Sequence, residues 1–166
     1  MQFQLKSISQ SAIPEALARA ERYRLIQESS QAESICLDVL QIDPENQTAL
    51  VTLLLAITDQ FVDGVPVSRA HNVLASIRGE YEQAYYAGII AERAARAHRK
   101  VGFPGSGFVA YEELLEAMHW YEQAEALRPE GNDEAILRWN TCARTLMSTP
   151  ELRPRPHENP EPVLDD

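Results

Sequence analysis

Leu40-Gln41-Ile42-Asp43-Pro44-Glu45-Asn46 and Ala124-Glu125-Ala126-Leu127-Arg128-Pro129 decide the fold. Each closes a run of good helix formers on an apolar residue and then meets a proline. Proline has no backbone N–H and its ring clashes with the preceding helical turn, so both stretches read as a helix end followed by a reversal. Working back from the first, residues 31–42 carry Ala32, Cys36, Val39 and Leu40 on one stripe. Residues 14–27 carry Leu17, Ala20, Tyr23 and Ile26 at three-residue steps, and Pro14 suits a first helical turn. Ser29 and Ser30 break the pattern between the two.

Working forward, a third helix starts near Gln47, with Ala49, Leu50, Leu53, Leu54 and Ile57 forming a face wide enough to be buried on two sides. Phe61 to Val67 is a loop. Ser68 is the expected N-cap of a short helix reaching Arg78, with the stripe Ala70, Leu74 and Ile77. A longer helix follows over 80–100. The glycines of 101–108 mark a loop, a helix runs over 109–127, and a last one over 133–147. No segment alternates with the period of two that a strand requires, so the expected class is all-α.

The chain has 166 residues, which suits one domain, and 15 Lys+Arg against 25 Asp+Glu give a net charge of −10. Such a chain is a poor partner for nucleic acid or an anionic membrane surface, both of which want clustered cations. No segment offers about 18 consecutive apolar residues. Met1 to Ser9 lacks the apolar run of a secretory signal, so the cytoplasm and reduced thiols are expected. Residues 1–12 form an N-terminal arm and 13–147 the helical domain. Residues 148–166 hold five of the ten prolines and read as a disordered acidic tail.

Ile13 to Asn46 is 34 residues long and resembles a tetratricopeptide repeat. Ala20 and Tyr23 match the small and aromatic positions of its first helix. Ala32, Cys36, Val39 and Pro44 fill those of its second helix and closing turn. Leu50, Leu53 and Ile57, then Ala70, Leu74 and Ile77, outline a second unit with a lengthened turn, in which Leu54 sits where a small residue is usual. Ala117, Tyr121, Ala124, Leu127 and Pro129 fit the second helix of a third unit. Its first helix would put Gly88 at the close-packing position, with roughly 17 extra residues between the two halves. Residues 133–147 resemble a capping helix.

This resemblance implies antiparallel helix pairs stacked as a short right-handed solenoid, with a concave groove that binds a peptide or helix of another protein. Its groove positions would be Leu17, Glu21 and Arg24 in the first unit and Val51, Leu55 and Thr58 in the second. Leu137, Thr141 and Arg144 of the cap would join them. Leu17 and Glu21 stand where some family members carry the Lys and Asn that grip a C-terminal carboxylate, which argues against that ligand. Arg93, Arg96 and Lys100 share one face of the long helix and read as a solvated face, the alternative being an anion contact. The glycine loop lacks the Gly-Lys-Ser/Thr of a phosphate cradle. His71, His98, His119 and His157 are scattered and the two cysteines stand 106 positions apart, so no metal or cofactor is expected. No nucleophile–base pair emerges, and the expected function is a non-enzymatic interaction scaffold. The alternative is a self-associating accessory or regulatory subunit using Tyr85, Tyr86 and Trp120 as an exposed aromatic patch, and the least favoured reading is an enzyme with a site around His119 and the glycine loop.

Overall fold

The computed structural model describes residues 1–156. Among them are seven α-helices and no strand: α1 (Ile13–Leu25), α2 (Ser29–Ile42), α3 (Gln47–Asp59), α4 (Val67–Leu74), α5 (Glu80–Val101), α6 (Ser106–Leu127) and α7 (Glu134–Ser148), with short 3-10 turns at Gln10–Ala12 and Phe61–Asp63.

The helix ends have local causes. Gln27 takes the left-handed conformation (φ 65°), and the Glu28 N–H reaches back to the Tyr23 carbonyl at 2.8 Å. This closes α1 and lets α2 begin at Ser29, inside the pair of serines that reads as a break. The Asn46 side chain accepts from the Ala49 N–H at 2.9 Å and caps α3. Ser68 is not the cap of α4: extended Pro66 precedes the helix, Val67 opens it, and it ends at Leu74 rather than Arg78. Gly102 (φ 71°) ends α5 in the left-handed region that glycine enters without strain. The expected loop over 101–108 shrinks to Gly102–Gly105, because Val101 belongs to α5 and Ser106, Gly107 and Phe108 to α6. The extra residues of this region therefore lengthen two helices. Both α5 and α6 have 22 residues, against 13 to 15 in α1, α2, α3 and α7.

Each α-helix packs on the next in sequence, and α1 also touches α3, as α3 touches α5. The linkers between successive helices are short. α3 buries eight residues, from Ala49 to Thr58, which accounts for its two-sided apolar face. Around it Ala20, Cys36, Leu54, Ile57, Phe61, Leu74 and Ile90 form one core cluster. A second joins α5, α6 and α7 through Ile89, Leu114, Ala117, Tyr121, Ala124 and Cys142. Leu152, within the proline-rich stretch, is buried in this second cluster. Beside it Arg155 pairs with Glu112 at 3.3 Å and the Arg153 guanidinium lies 6.0 Å above the Phe108 ring. Burial of this apolar side chain favours packing of residues whose composition suggests disorder. The remainder of the expected tail, 157–166, lies outside the described residues.

Candidate functional site

Asp59, the last residue of α3, draws four elements together. Arg24 in the last turn of α1 donates through Nε to Asp59 Oδ2 at 3.0 Å, and Ser29 Oγ at the start of α2 donates to the same oxygen at 3.2 Å. From α5, Arg93 donates through Nη1 to Asp59 Oδ1, to Thr58 Oγ1 at 2.9 Å and to the Leu55 carbonyl at 3.3 Å. The side chains of Arg24 and Arg93 are only 12% and 15% exposed. Burial lowers the Arg93 pKa, and the Asp59 carboxylate works against that fall. The guanidinium remains charged at any ordinary pH. The expectation that Arg93 sits on a solvated face is therefore corrected. Its side chain crosses to α3 because α3 and α5 are in contact, which a single-helix view does not reveal.

Beside this cluster opens a pocket of about 610 Å³ lined by Arg24, Ser29, Asp59, Gln60, Arg96 and Lys100, among others. A second, of about 430 Å³, is lined by Arg96, Arg99, Lys100, Ser106, Gly107 and Leu152. The two share Arg96 and Lys100.

The structure brings Arg24, Leu55 and Thr58 together through Asp59 and Arg93. Glu21 lies at their edge, with Oε2 3.5 Å from Arg24 Nη1. Val51 is half-buried against the first core cluster. Leu17 packs instead with Ile13, Val39 and Ala49. Thr141 lines a crevice beside Glu92 and Arg96, while Leu137 and Arg144 are exposed on α7. Asp59, Arg93 and Ser29 are absent from the sequence-derived set. Asp59 follows Thr58 and stands four residues after Leu55, a proximity that could have marked it.

A second buried polar group lies under α5. Glu92, 5% exposed, accepts from Tyr121 Oη at 2.6 Å and from Arg138 Nη1 at 3.3 Å, and Arg96 Nη2 is 3.6 Å away. Burial, then the Glu92 charge, lifts the Tyr121 phenol far above its ordinary value, so it serves as a fixed donor. Tyr85, Tyr86 and Trp120, expected as an exposed patch, are half-buried, Tyr86 and Trp120 against both clusters and Tyr85 against the second. Tyr85 stacks on Tyr81 with centroids 5.7 Å apart and meets Tyr86 edge-on at 5.1 Å. His119 is exposed, with its Nε2 2.7 Å from Gln123 Nε2. Cys36 and Cys142 are buried free thiols, pushed up to about 12 by desolvation. Among the described residues no group of His, Cys, Asp and Glu is placed to hold a metal ion, and no helix is long and apolar enough to cross a membrane. What the site offers is a row of cationic hydrogen-bond donors around two open pockets. No family model, curated protein or solved structure matches the chain.

Proposed function

We propose that this chain is a protein-binding module that holds a peptide or helix of a partner along the concave side of a tetratricopeptide-like stack. The pairs would be α1 with α2, α3 with α4 and α5 with α6, and α7 would cap them. The serial contacts of α1 with α3 and of α3 with α5 support this arrangement, since stacked pairs bring successive first helices side by side. The observation that carries the reading is the 610 Å³ pocket on which α1, α2, α3 and α5 converge. Arg24, Ser29 and Asp59 of its wall are held by one another and by Arg93 behind them, and a pre-formed wall reduces the ordering cost of binding. The half-buried aromatic cluster no longer offers the exposed patch on which the self-association reading rested.

The test is selection from a displayed library of random peptides, followed by amide shift mapping on the full chain. The expected footprint covers Leu55, Thr58 and the 93–100 stretch of α5. Peptides that shift only residues elsewhere would reject the groove.

A further inference from the structure

In a chain with 25 acidic and 15 basic residues, cations find carboxylates easily. Arg22, Arg69, Arg78 and Arg128, on other faces, are each paired. At the end of α5 the pattern reverses. Among the described residues Arg99 and Lys100 make no ion pair. Arg96, 69% exposed, has only Glu92, which already accepts from Tyr121 and Arg138. These three cations sit on the extra turns of α5, which a 34-residue unit lacks. At 100° per residue, Arg93, Lys100, Arg96 and Arg99 fall within about 120° of arc; Arg96 and Lys100 border both pockets and Arg99 borders the smaller one. Arg99 and Lys100 thus set unpaired positive charge beside Arg96 on one face, where Glu151 and Asp63 are the nearby carboxylates of the pocket walls not engaged in an ion pair among the described residues.

We infer that Arg96, Arg99 and Lys100, set between these two pockets with Arg24 at the α1 side, receive an extended acidic segment of a partner protein. This rests on the groove reading above and names the chemistry of its ligand. The spacing suits it. Arg96 and Lys100 are one helical turn apart, about 6 Å along the axis. Alternate residues of an extended peptide point the same way at about 6.6 Å. A Glu-x-Glu or Asp-x-Asp pattern therefore meets successive cations. The remaining negative charge of the molecule does not forbid approach, because charges beyond about 8 Å are largely screened at physiological salt. Nucleic acid fits less well, since its continuous charge would extend past this short face onto acidic surface.

The experiment measures fluorescence anisotropy of labelled 12-residue Glu-Ala, Gln-Ala and Lys-Ala repeats with the full chain. The Glu-Ala probe is expected to bind at least tenfold more tightly than the other two. Arg99→Gln/Lys100→Gln, with or without Arg96→Gln, should weaken it at least tenfold with unchanged circular dichroism. Arg19→Gln/Arg22→Gln, on the outer side of α1, should leave it intact. Equal binding of Gln-Ala, or no binding of Glu-Ala while library-selected peptides still shift Leu55 and Thr58, overturns the acidic ligand and spares the groove. Peptides that shift only other regions remove the groove itself. Binding that appears only in the full chain carrying E158Q, E161Q, D165N and D166N would assign the face to the chain's own acidic end and overturn the proposal. So would preference for a single-stranded oligonucleotide. A concentration-dependent dimer dissolved by Arg99→Gln/Lys100→Gln would overturn it in favour of a second copy.

Discussion

Gly88 of α5 lies directly against the ring of Tyr121 of α6: a methyl group on Gly88 would stand 2.5 Å from Cε1 and 2.7 Å from Cδ1. The ring cannot retreat, because Tyr121 is fully buried and its hydroxyl is held by Glu92. Two effects therefore oppose each other in Gly88→Ala. Helix propensity favours alanine by about 1 kcal/mol. Overpacking a core position costs about 1–3 kcal/mol. The contact is well inside van der Waals distance on both ring carbons, so the clash wins. The variant is expected to unfold at lower urea concentration with an unchanged slope. A gain in stability would show that α5 and α6 do not approach this closely.

Glu92 has two distinct holds, and two variants separate them. Tyr121→Phe deletes one donor to a buried carboxylate and should cost about 1–3 kcal/mol. Glu92→Ala leaves the buried Tyr121 hydroxyl without its acceptor and Arg138, 32% exposed, without its carboxylate, and should cost about 1–3 kcal/mol. Arg22→Ala is the contrast. Its pair with Glu15, at 3.0 Å, is solvent-exposed on both sides, and less than about 1 kcal/mol is expected. Chemical denaturation of the three variants checks the order, and an Arg22→Ala effect as large as that of Glu92→Ala would contradict it.

Alkali should unfold the protein earlier than its acidic composition suggests. Burial pushes the Cys36 and Cys142 thiols and the Tyr86 phenol up to about 12, and Tyr121 further. In the unfolded chain thiols release their protons near 8.5–9 and phenols near 10. Above those values the folded state binds more protons than the unfolded state, so stability falls as pH rises. Below them both states are protonated and the contribution is intact. The melting temperature is expected to be insensitive to these groups up to about pH 8.5. It should then drop through pH 9–12, as the unfolding free energy falls by up to about 1.4 kcal/mol per pH unit for each proton of difference. Native thiols at pH 8 should react with a disulfide reagent only after urea is added. Immediate reaction would mean that Cys36 and Cys142 are accessible.

The helices were legible because their evidence is local. Pro44 and Pro129 stop helices wherever they stand, and the apolar stripe of α3 records its burial on two sides. The class of the fold follows from such signals. The lengths of α5 and α6 were not legible, since Gly102, Gly105 and Gly107 look alike in sequence. Gly102 and Gly105 turn the chain, whereas Gly107 lies inside α6, close to the Glu151 carbonyl. Of the candidate site, helical register names Arg24, Leu55 and Thr58, which are linked through Asp59 and Arg93. Arg93 and Asp59 become partners only when α5 lies against α3, and no periodicity within one helix encodes that pairing. Leu152 was hidden similarly: its neighbours are prolines, and its partners lie in another part of the chain.

The Arg24–Asp59–Arg93 cluster makes the sharpest prediction, because removing one member differs from removing all. Asp59→Leu leaves Arg93, 15% exposed, without a carboxylate and Arg24, 12% exposed, with only Glu21 at 3.5 Å. A loss of about 3–5 kcal/mol is expected. Arg24→Glu should also destabilise, since it sets a second carboxylate against Asp59, so charge reversal there cannot serve as a clean probe of partner binding. The triple variant Arg24→Met/Asp59→Leu/Arg93→Met removes every charge while keeping volume. Thr58 Oγ1 retains the Leu55 carbonyl as its acceptor at 2.8 Å. Replacing a mostly buried ion triad by apolar side chains is often neutral or stabilising, so the triple variant should recover most of the stability lost in Asp59→Leu. Non-additivity of this size, read from urea midpoints of the single and triple variants, would establish that the three residues act as one unit. Additive losses would mean that solvent already screens the pairs and that the wall of the pocket is softer than its geometry implies.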